Sequence, residues 1–303
     1  MILLPASEFT IEELTSAYNQ TRTDYLIPMP MNPARLHEYI RLFDVDLDAS
    51  AVAVIDQTIV GLGMLGVRSN TAWITRLGVL PQGRRKGTGS RIMHALLHQA
   101  ETRNISNVWL EVIHGNEPAH VLFRKFGFRE TRELIVGRRP PGTMHTMLAV
   151  KSTHRVRYLQ HDEVLQLHCR RQERMNWLNG VDTMRNVGLL TSPYVNTAPE
   201  LAPQELPQLA GIYVEFLNGA HGWVSYQAST LQLKRICVEV VRGEPTRTTA
   251  ELLELLHRLH ASQDAVIENI PDDECWLGYK QAGYFEVFRR IEMVRESAAT
   301  DKP

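Results

Sequence analysis

Residues 79–89, Val-Leu-Pro-Gln-Gly-Arg-Arg-Lys-Gly-Thr-Gly, join the end of an apolar strand pattern to an amphipathic helix pattern. Gly87 and Gly89 leave the backbone open to the close approach of a ligand. Their amides are expected at the helix N-terminus, where the dipole and the orphan N–H groups favour an anion. The basic run 84–86 adds positive charge beside them. The segment therefore predicts a site for a pyrophosphate-like group. A basic turn in front of an ordinary helix is the alternative interpretation.

The motif Val79-x-Pro81-x-x-Arg84-x-x-Gly87-x-Gly89 resembles the acetyl-CoA pyrophosphate loop of the GCN5-related N-acetyltransferases (GNAT superfamily). A later segment supports the resemblance, because it is similar to the strand, the Asn-x-x-Ala-x-x-Leu-Tyr helix and the Gly-Phe turn of that family. Its matching residues are Leu110-Glu111-Val112, Asn116, Ala119, Leu122, Phe123 and Gly127-Phe128. Both motifs stand in the family's order and cover residues 70–136, and the wider fold pattern covers 1–150.

The resemblance implies that acetyl-CoA is the co-substrate. No metal is expected, because the spacing of the His and Cys residues supports no zinc site. It also implies a set of cofactor-binding residues, in which strand-end backbone holds the pantetheine arm and the loop holds the phosphates. That set is Leu77, Gly78, Val79, Arg84, Arg85, Lys86, Gly87, Thr88, Gly89, Ser90, Asn116 and Phe123. A backbone N–H near Gly78 or Val79 would serve the thioester oxygen, although Gly78 could equally be needed for packing.

Glu111 is the predicted catalytic base. In family members that acetylate protein N-termini, a strand Glu lies twelve residues before the helical Tyr, and Glu111 lies twelve before Phe123. A carboxylate half-buried at a cleft could accept the amine proton directly or through water. The alternatives are a Glu that only bonds neighbouring backbone, or a base at His114 or His120.

Phe123 departs from the family pattern, since the usual Tyr hydroxyl can protonate the departing thiolate and Phe has no donor. Either CoA leaves as a thiolate, or the enzyme is slow. Asn116 is predicted to cap the following helix, because Asn favours that position. The acceptor amine is expected near Asp24 and Tyr25.

Two domains are expected, an acetyltransferase domain at 1–151 and a degenerate copy at 155–303. Both are predicted to be α+β, with a mixed, mostly antiparallel sheet flanked by helices. Tyr279–Tyr284 repeats the pattern of Phe123–Phe128 at an offset of 156 residues, which indicates an internal repeat. The second copy has no Gly-x-Gly before its leucine-rich helix, and Glu244 and Pro245 stand there instead, so we expect it to have lost the cofactor.

Periodicity predicts the elements of both halves. In the first half the expected strands are Ile2–Pro5, Ala51–Ile55, Thr58–Met64, Ala72–Val79, Val108–Val112, Arg132–Val136 and Met144–Val150, and the expected helices are Ile11–Arg22, Pro33–Phe43, one after Gly89, and Pro118–Phe126. In the second half they are strands Val156–Leu159, Gly211–Phe216, Trp223–Gln227 and Ile236–Val241, with helices over Glu163–Trp177 and Leu252–Leu259. A turn is expected over residues 138–142.

Composition excludes several classes of function. A formal charge of −1 argues against nucleic acid as a partner, and no apolar run approaches the length of a membrane span. Three cysteines without metal or redox spacing are typical of buried free thiols in a reducing cytoplasm.

Gly61–Gly66 matches the dinucleotide fingerprint Gly-x-Gly-x-x-Gly, but a strand pattern follows it where the fingerprint requires a helix.

The sequence thus predicts a cytoplasmic N-acetyltransferase, monomeric or homodimeric, that acts on a small-molecule or peptide amine by direct attack on the thioester. The competing hypothesis is a CoA-binding or interaction protein that has lost catalysis on the same scaffold. The acceptor amine and the preferred acyl chain stay open.

Overall fold

The computed structural model describes residues 1–142, 153–189 and 208–296. Contacts within the chain divide it into two units. Unit 1 contains residues 1–131 and the C-terminal segment from Ile291, and unit 2 contains 132–290. The domain boundary expected at residues 151–155 stays a prediction, whereas the contact units change after Thr131 and after Arg290.

Unit 1 is a mixed α+β structure whose strand order is β1-β2-β3-β4-β5-β12. Its elements are β1 (Ile2–Pro5), α1 (Ile11–Gln20), α2 (Pro33–Leu42), β2 (Val45–Ile55), β3 (Thr58–Arg68), β4 (Thr71–Val79), α3 (Thr88–Thr102), β5 (Asn107–Ile113), α4 (Glu117–Lys125) and the end of β12 (Phe285–Glu296). The pairs β1–β2, β2–β3 and β3–β4 are antiparallel, and β4–β5 is parallel. The parallel pair requires a crossover, and α3 supplies it.

Helix α3 packs closely on the sheet because β3 is rich in glycine. A Cβ on Gly63 would lie 2.7 Å from Ile92 and 2.9 Å from Leu96. The segment Gly61–Gly66 therefore brings the helix near the strand. It lies wholly within β3, which extends beyond the predicted end at Met64, and no helix follows it directly. Ile92 and Leu96 are fully buried in the unit 1 core, which also includes Met293 from β12.

From β7 onward, unit 2 repeats the element order of unit 1. Its strand order is β6-β11-β10-β9-β8-β7. Its elements are β6 (Arg129–Arg139), β7 (Thr153–Leu159), α5 (His161–Cys169), α6 (Val181–Leu189), β8 (Leu209–Phe216), β9 (His221–Ala228), β10 (Gln232–Arg242), α7 (Pro245–Leu259), β11 (Asp264–Pro271), α8 (Glu274–Gln281) and the start of β12. Again one neighbouring pair, β10–β11, is parallel. The predicted α+β class with two similar halves is confirmed.

The internal repeat is visible in side-chain geometry. Phe123 and Phe128 lie with ring centroids 6.2 Å apart, and Tyr279 and Tyr284 lie 5.3 Å apart in an edge-on arrangement. Each pair closes a helix that ends in a left-handed glycine, Gly127 at φ 82° and Gly283 at φ 92°. A positive φ favours glycine because it has no Cβ.

Several predicted boundaries need correction. The helix expected over Glu163–Trp177 ends at Cys169, and the turn expected at 138–142 begins later because β6 continues to Arg139. Four elements that the periodicity did not predict are α6, α8, β11 and β12. Cys237 is buried as expected, but Cys169 is exposed. The strand expected at Met144–Val150 lies outside the described residues. Within the described ranges, no helix combines the length and apolarity needed to cross a bilayer.

Candidate active site

Strands β4 and β5 part from each other inside unit 1. Their parallel pairing runs from Thr71 opposite Asn107 to Ile74 opposite Leu110, and both strands continue beyond it. Just beyond this pairing, between Thr75 and Gly78, the register of β4 with β3 is irregular. Arg76, which lies in this stretch, has a left-handed φ of 54°. A bulge increases local bending of a strand. The ends of β4 and β5 therefore leave an open edge of backbone on β4.

Leu77 and Val79 present their backbone groups to this open edge. Gly78 pairs with Leu62 on β3, and Leu80 donates to the Val60 carbonyl at 2.9 Å, so the backbone groups of the intervening Val79 point away from β3. The Leu77 carbonyl accepts from Arg22 and not from β3. Gly78 also has a packing role, because a Cβ there would lie 2.4 Å from Thr21 Oγ1. Of the two amides expected to serve a thioester oxygen, only that of Val79 faces the opening.

Helix α3 begins beside this edge and has an uncapped N-terminus. Its N-cap residue is Gly87, in the left-handed region at φ 78°, and no side chain bonds the first amides. A Cβ on Gly89 would make only ordinary contacts, 3.5 Å from Leu122 and 3.7 Å from Val79. Packing therefore does not require a glycine at 89, whereas a ligand close to the backbone would. Arg85 and Lys86 are exposed at the same end.

Arg84 ties the loop to the segment after α1. Its guanidinium donates to both carboxylate oxygens of Asp24, at 2.6 and 2.7 Å, and to the carbonyls of Val79 at 3.0 Å and Thr21 at 3.3 Å. These bonds hold the pKa of Asp24 below its ordinary value and raise that of Arg84. In the structure Asp24 positions the loop, and its contact with an acceptor stays a prediction.

The uncapped helix, its glycine loop and the open strand edge lie within one segment that matches a known family. The sequence model of the acetyltransferase (GNAT) family matches residues 11–128. These residues belong to the acetyltransferase (GNAT) family. Acyl transfer is the general chemistry of that fold. No curated protein gives a significant sequence match to the chain.

Solved structures extend the likeness to nearly the whole chain. A tandem GNAT protein from the clavulanic acid biosynthesis pathway is 13% identical, with a TM-score of 0.63, and 99% of each chain is covered. A GCN5-related N-acetyltransferase from Sphaerobacter thermophilus is 12% identical, with a TM-score of 0.67, covering 97% of this chain and 95% of the other. Eis1 from Mycobacterium abscessus is 13% identical, with a TM-score of 0.54, over 98% and 74%. At these identities the comparison shows a shared tandem GNAT fold.

Glu111 lies on β5, past the point where the strands of the GNAT domain part. Its carboxylate accepts a hydrogen bond of 2.7 Å from the indole of Trp73 on β4. Trp73 is buried and lies 6.1 Å from the Tyr39 ring. The bond fixes the orientation of one Glu111 oxygen, as a group that receives a proton requires. Burial raises the pKa of Tyr39 to about 12, so this neighbour stays protonated.

Asn116 and Tyr25 meet on the same side of the GNAT domain. The Asn116 side chain caps α4 by accepting from Ala119, which confirms the predicted capping role. Its amide also donates to the Tyr25 hydroxyl at 3.1 Å. The structure therefore brings a predicted cofactor residue into contact with a predicted acceptor residue. Of the alternative bases, His120 bonds Glu130 at 2.8 Å, and His114 is exposed.

Phe123 is buried on α4 and packs in the unit 1 core. Its counterpart Tyr279 in unit 2 carries the hydroxyl that the GNAT pattern expects, but it is 1% exposed and its pKa is raised well above the ordinary value by burial. The half of the chain with the glycine loop thus lacks the tyrosine, and the half with the tyrosine lacks the loop.

The N-terminus of the corresponding helix in unit 2, α7, is capped by an acidic side chain of the chain itself. Glu244 is the N-cap of α7, and its carboxylate accepts from the amides of Thr246 at 2.9 Å and Arg247 at 2.7 Å. The Arg247 amide contributes most to a lowered pKa of Glu244. A carboxylate therefore occupies the place where a phosphate would bind, as the sequence suggested.

The sequence did not predict an arginine–tyrosine cluster formed by Tyr18, Arg22, Tyr25, Tyr39 and Arg76. Arg22 lies 4.1 Å from the Tyr25 ring centroid, and Arg76 lies 4.1 Å from that of Tyr39. One available indication was the spacing 18, 22 and 25, which places these side chains on one side of α1 and the turn after it.

Proposed function

We propose that unit 1 transfers an acetyl group from acetyl-CoA to an amine by direct attack on the thioester. The observation that carries the proposal is the opening between β4 and β5, with an uncapped helix N-terminus at one side of it and Glu111 at the other. The match of residues 11–128 to the GNAT family supports the same chemistry.

The residues present fit the cofactor. The amides at the start of α3 would hold the pyrophosphate, because a helix N-terminus favours an anion and Gly89 leaves the backbone accessible. Arg85 and Lys86 would add charge-assisted contacts. The backbone amides of Leu77 and Val79 would bind the pantetheine arm along the open edge, since their carbonyls already accept from Arg22 and Arg84. When bound, acetyl-CoA supplies an activated acyl group.

Glu111 would accept a proton from the amine, directly or through water, while the amine nitrogen bonds to the carbonyl carbon and the carbon–sulfur bond breaks. The Val79 amide would donate to the carbonyl oxygen, where negative charge develops. Phe123 has no proton to give, so the sulfur would leave as a thiolate. A thiolate is a tolerable leaving group near neutral pH.

Phe123 also supports the competing hypothesis, that the protein binds CoA without catalysis. The buried ring preserves packing and removes the usual donor. A binding measurement cannot separate the two hypotheses, whereas a turnover measurement can.

The cofactor site can be tested at Gly89 without disturbing the fold, because a Cβ there has room. Gly89→Asp places a carboxylate in the first turn of α3, where it favours the helix but repels phosphate. We expect wild-type protein to bind one acetyl-CoA per chain in calorimetry, Gly89→Ala to bind within about tenfold of it, and Gly89→Asp to lose binding by about 100-fold or more.

Turnover is then measured as thiol release with a panel of primary amines. Amine-dependent release in the wild type, absent in Gly89→Asp, supports the proposed transfer. Binding without turnover of any amine would favour the competing hypothesis. Absence of binding to folded wild-type protein would exclude both.

A further inference from the structure

The arginine–tyrosine cluster places two cations on the α1 and α2 side of unit 1. The guanidinium carbons of Arg22 and Arg76 lie 5.2 and 5.1 Å from the centroid of the same ring, that of Tyr18. Arg76 also donates to the Tyr18 hydroxyl at 3.0 Å. Aromatic faces attract guanidinium groups but do not neutralise them. The rings therefore leave the positive charge of Arg22 in place.

Arg22 has no acidic partner among the residues that the structure describes. Of its five N–H donors, one on Nη2 bonds the Leu77 carbonyl at 3.3 Å. Its Nε is buried and makes no hydrogen bond within the described part of the chain. The nearest acid in sequence, Asp24, gives both oxygens to Arg84. A partly buried cation without a counter-ion is costly unless a ligand supplies one.

The position of Arg22 distinguishes this ligand from the cofactor phosphates. Arg22 bonds β4 at Leu77, on the open edge, whereas the phosphate loop lies further along the chain at residues 84–89. Trp73 connects the opposite end of the cluster to Glu111, because its indole bonds Glu111 and its ring lies beside Tyr39. The cluster thus extends from the predicted base to the strand edge.

We propose that the acceptor amine carries a carboxylate, as an amino acid does, and that Arg22 binds that carboxylate while the amine faces Glu111. A guanidinium matches a carboxylate through two parallel hydrogen bonds, and Tyr25 holds the guanidinium plane in place. The inference rests on the proposed acetyl transfer and names the substrate class of the same site.

Acceptor preference tests the inference through matched pairs. Amino acids and their carboxamides are compared as acceptors in thiol release, for wild type, Arg22→Gln and the exposed surface control Arg41→Gln. We expect kcat/KM at least tenfold higher for the acid in the wild type and in Arg41→Gln. In Arg22→Gln the acid should lose that advantage. The kcat/KM for the carboxamide and the Kd for acetyl-CoA should each change less than about threefold.

A binding measurement keeps the inference testable if no amine is turned over. Ligand-observed NMR with CoA present compares N-acetylglycine with N-acetylglycinamide, which differ only in the carboxylate. Binding of the acid alone, lost in Arg22→Gln, supports the assignment even if acetyl transfer fails. The inference is wrong if the acid and the amide bind equally well. It is also wrong if Arg22→Gln weakens the binding of CoA as much as it weakens the binding of the acid. The wild-type comparison decides the matter if the variant does not fold.

Discussion

Arg84 and Asp24 join two segments of unit 1 that lie 60 residues apart, through a pair of hydrogen bonds of 2.6 and 2.7 Å. One residue belongs to the glycine loop and the other follows α1. The same guanidinium also bonds the Val79 carbonyl, next to the open edge of β4. Arg84 therefore fixes the position of the loop, through which we expect it to affect cofactor binding.

Arg84→Lys should weaken acetyl-CoA binding more than Asp24→Asn does. Lysine cannot reproduce the paired bonds or reach the Val79 carbonyl with the same geometry, whereas Asp24→Asn removes only an exposed ion pair. Exposed pairs contribute about 0.2–1 kcal/mol, so Asp24→Asn should raise the Kd less than about fivefold. Calorimetry gives both constants. If Asp24→Asn abolishes turnover of every amine at unchanged Kd, Asp24 contacts the acceptor.

Glu111→Gln should lower kcat by about 10²–10⁴-fold, because the amide cannot accept the amine proton. It can still accept the bond from the Trp73 indole, so the fold should be retained. Glu117→Gln, an exposed change on α4, is the matched control. An unaltered kcat in Glu111→Gln would leave Glu111 with a structural role only.

Glu244→Ala should lower the stability of unit 2 by about 1 kcal/mol, since it removes the side-chain cap of α7. It should not create a second cofactor site, because Pro245 offers no amide and no glycine loop precedes the helix. Urea unfolding measures the first effect and calorimetric stoichiometry the second. Two acetyl-CoA molecules per wild-type chain would show that unit 2 has kept a cofactor site.

His168 should make unit 2 less stable as the pH falls below 6.5. Burial lowers its pKa to about 3, with a further contribution from the charge of Arg171. The unfolded chain takes up a proton near pH 6.5 and the folded chain does not, so the unfolded state is favoured by about 2 kcal/mol at pH 5. His168→Gln, whose amide can still reach Ser225, should lose less stability between pH 7 and 5. Urea unfolding at both pH values provides the check, with the exposed His98→Gln retaining the wild-type slope.

Phe123→Tyr should leave kcat unchanged or raise it by up to about 100-fold, because the restored hydroxyl could protonate the leaving sulfur. Phe126→Tyr, on the same helix end and edge-on to His94, should change nothing. Single-turnover thiol release compares the variants. Loss of all activity in folded Phe123→Tyr would contradict the assignment of this position to the leaving group.

The sequence predicted the structure best at positions where the local backbone geometry favours one residue type. Gly87 could be placed at a helix start because a left-handed N-cap and an uncapped anion site both need glycine. Asn116 could be identified as a cap for a similar reason. Arg76 could not be predicted, because an arginine at φ 54° arises from the register of β4 with β3, which the pattern of residues along one strand does not encode.

Contacts between residues that are far apart in the chain could not be predicted either. The bond from Trp73 to Glu111 and the stacking of Arg22 and Arg76 depend on how α1, α2 and the strands meet. Strand β12 was missed because charged residues interrupt its apolar positions, as in Phe-Glu-Val-Phe-Arg-Arg-Ile-Glu. Hydrophobic alternation predicts strands that bury one face, and the first six residues of β12 are exposed or half-buried.

The placement of Met293 in the core of unit 1 has a consequence for biosynthesis. Unit 1 contains the glycine loop, yet its sheet ends with residues 291–296, which the ribosome adds only after all of residues 132–290. At about 5–20 residues per second, the nascent unit would wait roughly 10–30 s for its last strand. Until then the edge of β5 would be unpaired and open to other chains. Deleting the second half of the gene would therefore also remove strand β12 from the sheet of unit 1.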